Sequence, residues 1–96
     1  MLFVITATDK KGALDIRKAN RPAHLEYLKS LGDAVVLAGP YLGSDEQPEG
    51  SMVMVKAANL EEAERIAAAD PYAKAGLFQS VTVRRWAWTV NAPEGL

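Results

Sequence analysis

The chain has no cysteine among its 96 residues and only one histidine. Without thiols there is no disulfide, no thiol nucleophile and no thiolate metal site, and one imidazole alone cannot assemble the usual zinc constellation. An excess of charge of one sign is also missing, since eleven basic side chains face twelve acidic ones for a formal net charge of −1. Nonspecific nucleic-acid binding needs a dominant positive field, so nucleic acid is not an expected partner. No apolar run approaches the ~20 residues of a membrane span. The start, Met1-Leu2-Phe3-Val4-Ile5-Thr6, lacks the basic segment and cleavage pattern of a signal peptide. With the absence of cysteine, these features predict a cytoplasmic protein that does not engage membranes. Neither G-x-G-x-x-G nor G-x-x-x-x-G-K-S/T occurs, so the standard nucleotide cradles are not expected and no cofactor is called for.

What is present fits one domain, residues 1–96, with a polar tail from about 90. A chain this short buries only roughly 60–65% of its unfolded surface, so oligomerising would help it. Leu2–Thr8 reads as a strand with apolar residues on both sides, closed by Asp9-Lys10-Lys11-Gly12. Ala13–Lys18 reads as a helical turn, and a firmer helix is expected from about Pro22 to Leu31. Proline suits its first turn, Asn20 or Arg21 lies near its cap, and Gly32 stops it. Leu25, Leu28 and Leu31 form its expected core stripe. Ala34–Pro40 and Ser51–Ala57 read as strands around a polar loop, Leu42–Gly50. Asn59 caps a second helix whose buried face is Leu60, Ala63, Ile66 and Ala67. Asp70-Pro71-Tyr72-Ala73-Lys74 starts a short turn ended by Gly76, and Leu77–Trp88 reads as a long last strand.

The order β-α-β-β-α-β predicts a ferredoxin-like α+β fold, a four-stranded antiparallel sheet with two helices on one face. The other face would present Phe78, Trp86 and Trp88. An apolar sheet face is usually an association surface, so a homodimer closing into a dimeric α+β barrel is expected. Such burial also explains the alternation of Trp86 and Trp88 with arginines more simply than base stacking does.

His24 is the first candidate for chemistry. In a first helical turn, the positive end of the dipole would favour the neutral imidazole that a general base needs. A lone helix histidine is, by itself, more often a boundary residue without a task. Asp70 precedes Pro71 and has the pattern of a helix cap; one carboxylate oxygen can cap while the other orients an imidazole. Arg17 and Arg21 are four apart and would share a helix face, where they could hold a carboxylate or phenolate. Tyr72 reads as packing with a hydroxyl able to line a pocket. Ser51 follows Gly50 without a nucleophile-elbow motif and is not read as an acyl-transfer serine.

These pieces in this order resemble the YciI-like (YCII-related) family over nearly the whole chain. The resemblance rests on Leu2-Phe3-Val4-Ile5 leading to Asp9-Lys10, on Arg17 with Arg21-Pro22-Ala23-His24-Leu25 and Tyr27-Leu28, and on Leu37-Ala38-Gly39-Pro40. It is completed by Gly50-Ser51, by Ala69-Asp70-Pro71-Tyr72 and by Ala75-Gly76. The resemblance implies a dimerising ferredoxin-like fold and a His24–Asp70 dyad, with lyase-type or dehydrochlorinase chemistry on small aromatic compounds in some relatives. Arg17, Arg21, Tyr72 and Ser51 are the expected substrate contacts for a small anionic or phenolic ligand. The alternative is a noncatalytic dimer that binds such a molecule for affinity alone.

Overall fold

A computed structural model describes all 96 residues, Met1–Leu96. Strand β1 (Leu2–Asp9) leads to helix α1 (Leu14–Ser30), then through a 3-10 turn (Gly32–Ala34) to the hairpin of β2 (Val35–Leu42) and β3 (Pro48–Lys56). Helix α2 (Leu60–Ala68), a single turn α3 (Pro71–Lys74) and strand β4 (Phe78–Trp86) complete the chain. The strands lie in the order β2-β3-β1-β4, every pair antiparallel, which is the ferredoxin-like arrangement.

Period-two alternation sorts β1 into two faces. Phe3, Ile5 and Ala7 pair with Val55, Val53 and Ser51 and face the helices. Phe3, Ile5, Val53 and Val55 join Ala57, Ala63 and Ala67 in the main core, with Leu28, Val35, Ile66 and Val83 packed against it. Burial of a side chain such as Phe3 or Val55 is worth on the order of 1.5–3 kcal/mol. The expected α2 face is present in Ala63, Ile66 and Ala67, whereas Leu60 is exposed at the helix start. Asn59 caps α2 by accepting the Glu62 N–H at 2.9 Å.

Helix α1 departs from the expectation. It runs unbroken from Leu14, with Pro22 inside it. A proline removes one N–H···O bond and crowds the preceding turn. Here Pro22 is on the exposed side, and buried Arg17 and His24 anchor the helix on either side of it. Asn20 is accordingly no cap; its Nδ2 donates to the Ile16 carbonyl within the helix. His24 therefore stands in mid-helix, and the dipole argument for its neutral form falls away, because that effect fades within the first turn.

The leucine stripe is corrected as well. Only Leu28 reaches the main core; Leu25 is 46% exposed and Leu31 is half-buried. The polar loop shrinks to residues 43–47, because Pro48–Gly50 already pair with β2. A register shift at Thr8/Asp9 turns Phe78 to the helix side, where it packs against Ala13, Tyr72 and Leu77. Trp88 lies beyond the end of β4, in tilted contact with Trp86. The uncovered face thus carries Trp86 beside Leu2, Val4, Met54 and Leu37. No helix is long and apolar enough to cross a membrane.

Candidate active site

Two residues of helix α1, Arg17 and His24, meet one short turn. Asp70 is extended backbone at the entry to α3, and its Oδ1 accepts the Tyr72 N–H at 2.9 Å. Pro71 occupies the first helical position, where no N–H is needed. Gly76, at φ +74°, ends the turn in the left-handed region that suits glycine. The expected cap is therefore present, and its carboxylate has a second partner.

That partner is His24. Its Nδ1 lies 2.9 Å from both Asp70 oxygens, and both residues are buried. An ionised carboxylate only accepts, so Nδ1 carries the hydrogen and donates it. Nε2 has no hydrogen-bond partner within the chain, and the imidazole lines the cleft. The dyad joins residues far apart in the sequence because α1 and α3 pack side by side.

The Tyr72 ring stacks on the His24 imidazole, with centroids 3.9 Å apart and planes 14° from parallel. The Arg17 guanidinium lies over the same tyrosine ring, 4.7 Å from its centroid. Phe78 meets Tyr72 edge-on, so the tyrosine is held on several sides. Burial raises the Tyr72 hydroxyl above its usual range; the charges of Arg17 and Arg21 oppose the shift without cancelling it, and Asp70 adds to it. Tyr72 is thus a neutral hydroxyl, able to donate a hydrogen bond.

Arg17 is not a free cation. Its Nε and Nη2 donate to the two oxygens of Asp9 at 2.7 and 2.9 Å, and Nη2 also donates to Ser51 Oγ at 2.8 Å. Both side chains of the ion pair are only 6% exposed. Burial alone would lower the proton affinity of this guanidinium, but the hydrogen bond and charge of Asp9, together with Tyr72, outweigh it and the net shift is upward. Removing one partner of such a pair costs about 3–5 kcal/mol. In the sequence alone, Asp9 reads as the residue that begins the turn closing β1. Its signal is weak, because an aspartate before a Lys-Lys-Gly turn looks like turn chemistry.

The cleft has a volume of about 460 Å³ and runs between α1 and the β2–β3 hairpin. Its far wall is Ala38, Gly39 and Pro40, small side chains that leave a gap beneath the helix, with Gln47 and Pro48 at the hairpin. Leu14, Leu25 and Leu28 supply apolar surface, which is why Leu25 is missing from the core. Arg17, Arg21, His24, Ser51 and Tyr72 all line it; Asp70 stands behind the imidazole. Arg21 and Lys18 are exposed at the mouth and make no ion pair. No group of three or more His, Asp or Glu side chains is arranged to hold a metal ion.

Comparison with known proteins places the chain. A YCII-related domain is matched over residues 1–87. Protein YciI of Escherichia coli is 39% identical over 92 residues, covering 88% of this chain and 94% of its relative. An uncharacterised protein of Haemophilus influenzae is 38% identical over the same shares. Among solved structures, the 5-chloro-2-hydroxyhydroquinone dehydrochlorinase of Burkholderia phenoliruptrix, in complex with 2,5-dihydroxybenzoquinone, superposes with a TM-score of 0.85. It is 37% identical, with 91% of this chain and 94% of that chain covered. With nearly its whole length matched in sequence and fold, the chain belongs to the YCII-related domain family.

Proposed function

We propose that the chain is a small-molecule enzyme working by proton transfer at His24, with Asp70 as the orienting carboxylate. One observation carries the reading. A buried imidazole is held at Nδ1 by a buried carboxylate, 2.9 Å from each oxygen, and the same imidazole lines a cleft. That arrangement fixes the tautomer and stabilises the imidazolium as it forms, the division of labour that general base catalysis needs.

The dehydrochlorinase relative supports a substrate class. Its name and its bound ligand are both hydroxylated or quinonoid six-membered rings. For this chain we infer a small oxygenated aromatic compound, phenolic or anionic. His24 Nε2 takes a proton from a ring hydroxyl and delivers it to the ring carbon that bears the leaving group. Loss of a second hydroxyl proton to solvent then expels that group as an anion such as chloride, so that HX leaves overall, as a lyase-type elimination requires. Arg17, Arg21, Ser51 and Tyr72 offer donors to the ring oxygens.

The reading includes a homodimer formed sheet to sheet. Leu37, Tyr41 and Trp86 are 41%, 45% and 41% exposed on the uncovered face, a combination that favours a second copy as cover. It also includes a cytoplasmic site of action, in keeping with a chain that carries no cysteine.

The test is a turnover screen over hydroxylated and chlorinated hydroquinones, starting with 5-chloro-2-hydroxyhydroquinone. His24→Ala should abolish turnover and Asp70→Asn should lower it by about 10²-fold or more, both leaving the circular dichroism of the fold intact. Full activity in both variants would remove the dyad. Binding without turnover by the unaltered protein would make the cleft that of a noncatalytic binding module.

A further inference from the structure

Two arginines one turn apart on the same helix face line one cleft, yet their circumstances differ. Arg17 is buried, and its Nε and Nη2 are committed to Asp9 and Ser51. Arg21 is exposed and has no ion-pair or hydrogen-bond partner within the chain. Asp9 itself does not line the cleft. It reaches the site only through Arg17, whose charge it neutralises at 2.7 Å.

We propose that Asp9 is a positioning residue that turns Arg17 into a fixed, charge-neutralised hydrogen-bond donor, leaving Arg21 as the cation that recruits an anionic ring oxygen. The inference rests on the cleft named above as the substrate site, and it deepens that reading by dividing the roles of its basic residues. The bidentate clamp holds the guanidinium plane in one orientation over Tyr72, so Nη1 is the Arg17 nitrogen not engaged by Asp9 or Ser51. A donor clamped this way loses little freedom when the ligand arrives. It also adds little long-range attraction, because the carboxylate cancels its field within a few ångströms.

Arg21 has the opposite character. Its side chain lines the cleft, and its charge bears on the Tyr72 hydroxyl there. An exposed, uncompensated guanidinium attracts an anion over roughly a Debye length, about 10 Å at 0.1 M salt. Salt dependence of binding should therefore belong to Arg21, and hydrogen-bond geometry to Arg17.

The experiment is a calorimetric titration of 2,5-dihydroxybenzoquinone into the full chain over a series of sodium chloride concentrations. Arg21→Gln should weaken low-salt binding by roughly tenfold and flatten the salt dependence, as expected when a recruiting charge is lost. Lys18→Gln should leave most of that dependence in place. Asp9→Asn keeps an oxygen acceptor but releases the Arg17 charge into the cleft, so its salt dependence should be steeper than that of the unaltered protein. Asp9→Glu should restore the original dependence.

If Asp9→Asn does not fold, the comparison of Arg21→Gln with Lys18→Gln still decides. An unchanged salt dependence in Arg21→Gln, with binding intact, overturns the division of roles and leaves the His24 reading standing. Weaker binding by Asp9→Asn with no change in salt dependence reduces Asp9 to a structural part and likewise overturns it. No binding by the unaltered protein removes the cleft as a ligand site, and both readings fall together.

Discussion

Asp70 Oδ1 accepts two hydrogen bonds at 2.9 Å, one from His24 Nδ1 and one from the Tyr72 backbone N–H. One carboxylate thus starts a helical turn and fixes the tautomer of the only imidazole. The ring of Tyr72, whose backbone Asp70 caps, is the ring stacked on that imidazole. Cap, base and backing ring therefore form one unit, and a change at Asp70 should separate its two duties.

Asp70→Asn keeps a side-chain oxygen able to accept the Tyr72 N–H, so the cap survives. Its amide can also present N–H to His24 and favour the wrong tautomer. Turnover should fall by about 10²-fold or more, with little loss of stability. Asp70→Ala loses the cap too and should cost a further ~1 kcal/mol. Parallel measurements of turnover and thermal unfolding check this; equal melting temperatures in the two variants would mean that the cap contributes nothing.

The fold was legible because β1, α2 and the Asp70 turn each announce themselves locally. Alternating Phe3, Ile5 and Ala7, the Asn59 cap and the Asp70-Pro71…Gly76 pattern all have the structure they imply. Pro22 misled, because a proline is read as a helix start unless tertiary anchors hold the preceding turn, as Arg17 does here. Phe78 misled because a bulge at Thr8/Asp9 shifts the register, which strand alternation cannot foresee. Within the site, His24, Asp70, Arg17, Arg21, Tyr72 and Ser51 were all named from the sequence, and the fold gathers them around one cleft. Asp9 was missed, since only three-dimensional contact distinguishes an ion-paired aspartate from one that closes a turn.

The tyrosines make stability depend on alkaline pH. Burial raises the Tyr72 hydroxyl, against the opposing charges of Arg17 and Arg21, and burial with the nearby Asp70 charge raises Tyr27 above its ordinary 10.0. Both groups hold their protons more tightly folded than unfolded. Their contribution is therefore complete below pH 10.0 and is lost as pH rises through the higher folded values. Unfolding free energy should decline above about pH 10, together with the appearance of phenolate absorbance. Tyr27→Phe should blunt that decline, while also losing the 2.7 Å bond from its hydroxyl to the Ile66 carbonyl.

Gly50 should not tolerate a side chain. A Cβ at this position would lie 2.6 Å from the Ala7 carbonyl oxygen, a backbone atom of the central strand. No rotamer change can relieve that approach, so β1 and β3 must separate locally. Gly50→Ala should destabilise by about 1–3 kcal/mol, the usual range for overpacking. It should also weaken ligand binding, because the next residue, Ser51, accepts from Arg17. Denaturant unfolding and a binding titration read the two effects separately.

Pro22 offers the reverse trade. Its ring sits inside α1 on the exposed side, where it deprives the helix of one backbone donor. An interior proline costs about 3 kcal/mol relative to alanine, while its stiffening of the unfolded chain gives back about 1 kcal/mol or less. Pro22→Ala should therefore raise stability by about 1–2 kcal/mol, less than the full difference because α1 is already adapted to the proline. The same change restores a backbone hydrogen bond to α1 between Arg17 and His24, the two side chains that contact the Tyr72 ring. A higher melting temperature with lower turnover is the expected outcome, since the stacked site depends on the spacing of those two residues. A lower melting temperature would show instead that the proline fits its helix without strain.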